Sequence, residues 1–244
     1  MIDRDKLEEL IYKSQRCQRN WDLSKEIPKE DIDTMIHAIK SAPSKQNEKH
    51  FQVSIVTDYD QRFAIYNATH NFAHSEDGVN IDKHPDGSIN YKRQSQLIGN
   101  MLFVFSRDIN NEYRAGEAFA GGKRVEKNKK VKEELTKSDQ TAGRLDFKVP
   151  GERKKIRRLY EDHGLHALGI GVGYLLMTAH LLGYRTGCSG GFHRQTVRDI
   201  TGMKDPHVVV AVGYDDPNRD RKEEHFESWR KFPTWDKDRS IHWL

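Results

Sequence analysis

The longest apolar run in this 244-residue chain, Leu165 to Leu182, sits in a sequence that is 35% hydrophobic and 32% charged. With so little apolar surface, the core must be assembled from a few concentrated elements. This run is the largest of them. Its stretch from about Gly169 to Leu182 is too short, and too interrupted by Gly173, Thr178 and His180, for a membrane span, and reads as a buried core helix. Two further continuous stretches, Met101 to Phe105 and Val208 to Val212, are short apolar runs that read as buried strands. A chain of this length buries a substantial core, and we read it as one domain spanning residues 1–244.

Around these elements the remaining periodicities fall into place. Leu7, Leu10 and Ile11 mark a helix over residues 3–14, and Ile32, Met35, Ile36 and Ile39 mark a second that starts near Pro28. Proline suits the first helical turn, and Glu30, Asp31 and Asp33 favour its positive end. Pro43 stops that helix because it lacks an amide donor and disfavours the α region at Ala42. Phe51 to Thr57 reads as a strand, and a third helix follows Tyr59-Asp60. The polar tract Asn67 to Asn90 reads as loop, with Pro85-Asp86-Gly87 as a turn. Later come a strand near Arg185 to Cys188, a helix over Arg194 to Thr201 and a strand over His207 to Val212. Residues 107–158 read as a polar excursion from the core, a lid, and residues 215–244 as a tail whose Trp229, Trp235 and Trp243 need a partner surface to pack on.

Charge and cysteine usage narrow the function classes. The net charge of +4 conceals a block from Gly121 to Arg158 with fourteen Lys or Arg against six Asp or Glu, an excess of eight that leaves the rest of the chain at −4. Such a block could attract nucleic acid, and a nucleic-acid-binding protein using residues 123–158 is the rival from another class. The block lacks interleaved aromatics and a reading motif, and Glu126, Glu133 and Glu134 interleave with its lysines as on a solvated helix face. Cys17 and Cys188 fit neither a disulfide framework nor a zinc site, so reduced thiols are the expectation. The first residues carry no signal-peptide pattern, which implies a cytoplasmic protein.

Several chemical motifs fail on their context. The glycines of Gly164 to Gly173 are preceded by a charged run rather than a strand, which rejects a dinucleotide-binding loop. Glycine inside a helix costs ~1 kcal/mol relative to alanine, so these residues point to close approach by another helix. Gly121-Gly122-Lys123 lacks the rest of a P-loop. His163 and His166 lack a further ligand in a recognisable position, so no metal site is assigned. Cys17 beside Arg19 has a guanidinium that favours thiolate but no base, so no residue is assigned as catalytic.

Two segments carry binding chemistry instead. Ser44 and Asn47 sit in Ser41-Ala42-Pro43-Ser44-Lys45-Gln46-Asn47, a short loop held by rigid elements at both ends, where binding groups concentrate. Arg16 and Arg19 in Arg16-Cys17-Gln18-Arg19-Asn20-Trp21-Asp22 can converge on one phosphate, as planar guanidiniums do, or can be solvated at a helix end. With Ile27-Pro28, Leu182-Gly183-Tyr184, Ser189-Gly190-Gly191-Phe192, Val212-Gly213-Tyr214, Arg230-Lys231 and His242-Trp243 in the same order, the chain resembles the FMN-dependent nitroreductase family. Residues 60 to 160 match poorly.

The resemblance implies an α+β fold of three-layer type, with a central mixed, mainly antiparallel sheet surrounded by helices in an intertwined homodimer. The glycine-rich helix would then span the dimer, and the C-terminal tail would wrap the partner. It further implies bound FMN reduced by NADH or NADPH, with a nitroaromatic, quinone or related small molecule as acceptor. Reductive dehalogenation or fragmentation of the flavin occurs in the same family and stays open. Carried over residue by residue, Arg16 and Arg19 would contact the FMN phosphate or ribityl chain, and Cys17 stands where a serine is usual, a loss of a good hydroxyl donor. Pro43, Ser44 and Asn47 would approach the ring from the partner chain. Asn90 and Arg93 would face its pyrimidine edge, Gly190 and Gly191 would lay backbone amides near N5, and Arg230 and Lys231 would close over the phosphate. Gly190 replaces an acidic residue found in many relatives.

Overall fold

A computed structural model of the chain describes residues 3–14, 17–44, 49–72, 91–108 and 152–218. Five helices are described: α1 (Arg4–Ser14), α2 (Lys29–Ser41), α3 (Tyr59–Asn67), α4 (Glu152–Leu181) and α5 (Arg194–Thr201). Strands β1 (Trp21–Asp22), β2 (Phe51–Val56), β5 (Met101–Arg107), β6 (Arg185–Ser189) and β7 (Pro206–Asp215) form one sheet, while β3 (Asn71–Phe72) and β4 (Tyr91–Lys92) form a separate ladder.

The sheet runs β1–β7–β5–β2, and β6 also pairs with β7. Every pairing among the described residues is antiparallel, so the expected antiparallel character holds. Successive side chains of a strand point to opposite faces, and the two core clusters obey this alternation. Met101, Phe103, Phe105, Val210 and Val212 pack on one side with Met35 and Ile39 of α2 and Leu168, Leu175 and Ala179 of α4. Leu102, Val104, Val209 and Ala211 pack on the other with Ile65 of α3 and Val197 of α5. The result is a three-layer α/β/α arrangement. Phe103 and Phe105 are fully buried, and each such side chain contributes about 1.5–3 kcal/mol.

Local chemistry explains the element ends. Pro28 precedes α2 with φ −56 and ψ 145, and Ala42 leaves it in extended backbone, as Pro43 demands of its predecessor. Asp58 caps α3, its carboxylate accepting from the Gln61 amide at 2.9 Å.

Four boundaries differ from the sequence expectation. The central helix begins at Glu152, inside the span read as an excursion, because its first turns carry charge rather than an apolar stripe. Arg107 closes β5 instead of opening that excursion, since Phe51 pairs with it across the ladder. β7 extends from Pro206 to Asp215, so Asp215, read as the first residue of the tail, is strand. The Asn67 to Asn90 loop contains β3, and a 3₁₀ turn at Ser95–Leu97 precedes β5. Residues 109–151 and 219–244, which hold the rest of the expected lid and tail, lie outside the described residues.

The helical stretch is longer than Gly169 to Leu182, and by length and composition alone His163–Leu181 is apolar enough to cross a membrane. One side of it is core: Leu168, Leu175 and Ala179 are buried against the sheet. The opposite face is open, with Ile170, Tyr174 and Leu181 between 40% and 47% exposed.

Candidate functional site

The segment after α1 returns to the sheet and lies along β6. The Gln18 amide donates to the Thr186 carbonyl at 2.7 Å. Its side-chain carboxamide donates to the Asp215 carboxylate and accepts from the Arg19 and Asn20 amides at 2.8 and 3.1 Å. Gln18 therefore fixes the turn that presents Cys17 and Arg19. The exposed Cys17 thiol is hydrogen-bonded to that of the half-buried Cys188. Arg19 is half-buried, and burial lowers its pKa from the ordinary guanidinium range against an electrostatic attraction to Cys17.

β6 ends in the turn Ser189-Gly190-Gly191-Phe192, and a glutamine network builds its floor. Gln94 Nε2 donates to the His70 and Gly191 carbonyls at 2.8 and 2.9 Å, and its amide donates to Thr69 Oγ1 at 2.8 Å. Gln96 Nε2 donates to Gln94 Oε1 at 3.1 Å and to the Cys188 carbonyl at 3.0 Å. Ser189 Oγ accepts from the Gly191 amide at 3.0 Å. The exposed Arg93 joins this group by donating to the Thr69 carbonyl at 2.9 Å. Five of the sequence candidates, Cys17, Arg19, Arg93, Gly190 and Gly191, are thus collected around one strand, β6, and the turn that follows it.

Pro43 and Ser44 are elsewhere. They follow α2 beside β2, and β7 and β5 separate β2 from β6. The register puts both corners toward the same end of the sheet, because Ser189 pairs with Val209, Val104 with Val209 and Ser54 with Val104. Three strand spacings make a gap of roughly 14 Å. A cavity of about 590 Å³ opens on the Ser44 side, lined among others by Ile39, Lys40, Ser44, Phe51 and Met203, and not at the Gly191 turn. The candidate residues of one chain therefore stand in two groups on opposite sheet edges. Arg16, Asn47, Asn90, Arg230 and Lys231 lie outside the described residues.

The β6 edge carries two guanidiniums, Arg19 and Arg93, beside the glycine turn, a cationic set that suits an anionic ligand such as FMN. At Gly191 a Cβ would stand 2.5 Å from Gln94 Nε2 and 2.9 Å from the His70 carbonyl oxygen, so the network needs glycine there. Among the described residues no three His, Cys, Asp or Glu side chains gather as a metal would require. Sequence reasoning missed Gln18, Thr69, Gln94, Gln96 and Asp215. Glutamine carries no motif signal, and only the fold shows that these side chains bridge segments far apart in sequence.

Beyond this edge Asp205 anchors a second polar group. It accepts from Arg107 Nε at 2.7 Å, pairs with Arg107 and Arg194 at 2.6 and 3.4 Å and meets His207 Nε2 at 2.9 Å. Burial raises its pKa, but the hydrogen bonds from Arg107 and His207 prevail and hold it below the usual carboxylate range. This cluster ties β5 and β7 to the start of α5.

The model of the nitroreductase family matches residues 12–214. A Bacillus subtilis structure described as a nitroreductase, ydfN, superposes with a TM-score of 0.61 at 16% identity, covering 90% of this chain and 94% of that one. An Exiguobacterium sibiricum structure described as a nitroreductase in complex with FMN gives 0.57 at 16% identity, covering 90% and 91%. A Staphylococcus epidermidis structure described as an NAD(P)H:FMN oxidoreductase gives 0.55 at 19% identity, covering 92% and 96%. No curated protein sequence matches the chain.

Proposed function

Because the chain belongs to the nitroreductase family, we propose that it is an FMN-dependent oxidoreductase of two identical subunits, which takes hydride from NADH or NADPH and passes it to a nitroaromatic, quinone or related small molecule. The observation that carries this reading is the split site. The cationic turn and the glycine turn share β6, while the Pro43-Ser44 corner stands beside β2. In a pair of subunits, one chain's β6 group is to meet the other's Ser44 group. The descriptions of two structural neighbours, one in complex with FMN and one as an NAD(P)H:FMN oxidoreductase, support the same ligand.

The open face of α4 supports the pairing. Gly169 and Gly173 have nothing within 4 Å of a would-be Cβ, and both lie within the helix stretch that bears Ile170 and Tyr174, each at least 40% exposed. Glycines on an uncovered apolar face admit a second helix to close range. Gly171 has a different cause, since a Cβ there would meet the Phe51 ring at 2.6 Å.

In this reading Arg16 and Arg19 of one chain hold the phosphate and ribityl end, with Arg230 and Lys231 closing over it and Cys17 alongside. Arg93 and Asn90 address the pyrimidine edge, and the Gly190 and Gly191 backbone supports the N5 side. Pro43, Ser44 and Asn47 cover the ring from the partner. Bound FMN supplies the hydride acceptance and donation. The protein's part is to place the ring between two chains and to leave one face open to donor and acceptor in turn. No side chain is assigned as catalytic, and the proton that accompanies each hydride comes from solvent.

The test is the spectrum of the purified protein. A flavin absorbance that bleaches on adding NADH or NADPH and returns on adding a quinone is the expected result. Colourless protein that cannot be reconstituted with FMN would overturn the proposal.

A further inference from the structure

We infer that Cys17 and Cys188 form a reversible redox pair, a site at which hydroperoxides convert two thiols of one chain into an intramolecular disulfide. It does not rest on the flavin reading, since it needs only the two sulfurs and their surroundings. These are the chain's two cysteines, 171 residues apart in sequence. The fold brings them together because Gln18 is hydrogen-bonded along β6 through Thr186, which sets the preceding residue beside the strand that carries Cys188. Their thiols are hydrogen-bonded to each other. Their backbones are held independently of the sulfurs, Cys17 by the Gln18 bonds to Thr186 and Asp215 and Cys188 by the β6 ladder and by Gln96 on its carbonyl.

The two sulfurs have different environments, which divides their roles. Cys17 is exposed, accessible to a small oxidant, and in electrostatic contact with the Arg19 guanidinium. Cys188 is held in the thiol form, its pKa raised first by the hydrogen bond to Cys17 and then by burial. The Cys17 thiolate attacks one oxygen of the peroxide. The O–O bond breaks, hydroxide leaves and Cys17 becomes a sulfenic acid. The Cys188 sulfur then attacks the Cys17 sulfur, the S–O bond breaks, and the hydroxyl departs as water with the proton Cys188 gives up. For hydrogen peroxide the balance is two thiols oxidised by two electrons, one peroxide reduced, one disulfide and two waters formed. A thiol reductant reverses the step. Closure welds the Arg19 turn to β6, on the strand that leads to the Gly190-Gly191 turn.

Hydrogen peroxide in slight molar excess over reduced, natively folded protein, followed by alkylation and mass spectrometry, tests this. Both thiols should become resistant to alkylation while the intact mass falls by about 2 Da for the two lost hydrogens. A non-reducing peptide map should contain the Cys17–Cys188 pair within a single chain, and dithiothreitol should restore both thiols. In Cys188→Ser the reaction should stop at a Cys17 sulfenic acid that dimedone traps, and in Cys17→Ser the Cys188 thiol should survive the same exposure. Wild-type protein that keeps both thiols, takes up oxygen without a linked peptide, or links only between chains would overturn the inference. The wild-type mass and map decide the matter even where a variant does not fold.

Discussion

Gln94 and Gly191 are locked to each other: the Gln94 carboxamide nitrogen donates to the Gly191 carbonyl at 2.9 Å, and that same nitrogen would lie 2.5 Å from any Cβ placed on residue 191. One contact therefore demands both the glycine and the glutamine. Gly191→Ala has to expel the amide from its bonds to His70 and Gly191, so the His70 carbonyl loses this donor while the Gly191 carbonyl keeps only the His70 amide. Two such hydrogen bonds are worth about 0.5–1.5 kcal/mol each. Urea denaturation should show a lower midpoint at unchanged slope for Gly191→Ala and for Gln94→Ala. The double variant should lose less than the sum of the two, since both remove the same contact.

The glycines of α4 separate into two kinds. Gly171→Val should destabilise the chain by about 1–3 kcal/mol through overpacking against Phe51. Gly169→Val and Gly173→Val meet open space within the chain, so they should leave folding intact and weaken self-association instead. Sedimentation velocity over a dilution series distinguishes the outcomes. Unchanged association in both variants would remove α4 from the subunit interface.

Removing the phosphate ligands should release FMN selectively. Loss of a charge-assisted hydrogen bond is worth about 1.5–3 kcal/mol, or at least a tenfold weaker Kd. Arg16→Ala, Arg19→Ala and Arg230→Ala should each fall in that range, while Lys129→Ala, in the basic block, should bind FMN as wild type does. Fluorescence titration with FMN measures all four, and equal affinities would undo the phosphate assignment.

One buried and one half-buried histidine set the response to mild acid. Burial lowers the pKa of His180, whose Nε2 has no hydrogen-bond partner among the described residues, and burial outweighs the Asp205 bond to lower that of His207. A folded-state pKa below the unfolded value of about 6.5 means that the unfolded chain takes up protons first. Stability is therefore full above that value and declines as pH falls through it toward the folded pKa. Thermal melts between pH 8 and 5 should show this decline, and His180→Leu should flatten it.

Asp205 acts at lower pH with the carboxylate sign. Its folded pKa is depressed, so its contribution is present above the unfolded value of about 3.9 and is lost as pH falls through the folded one. Asp205→Asn leaves Arg107, whose side chain is 16% exposed, facing a neutral partner. Breaking a buried pair in this way costs about 3–5 kcal/mol. Chemical denaturation at pH 7 should show a loss of that order.

Much of this architecture was legible before any coordinates. Helix α5 falls on Arg194–Thr201 as its pattern predicts, and Pro28 and Pro43 bracket α2 through backbone chemistry alone. The charged first half of α4 was not legible, because residues 152–158 show no apolar stripe and only continuity with the core helix makes them helical. Strand β1 has two residues, too few for alternation to register. In the site, arginines and glycines announce themselves by charge and by missing side chains, whereas Gln18, Gln94 and Gln96 act through contacts with residues up to 197 positions away. The division of the site between sheet edges depends on strand order, which periodicity along the chain does not encode.

The central claim is that FMN is held between two chains, one giving the β6 edge and the other the Ser44 corner. The most direct measurement follows FMN occupancy and subunit association together as the FMN-loaded protein is diluted, by analytical ultracentrifugation monitored at flavin absorbance. The account predicts that flavin leaves in step with dissociation and that no flavin sediments with the monomer. Flavin sedimenting with a single chain at full occupancy would contradict it.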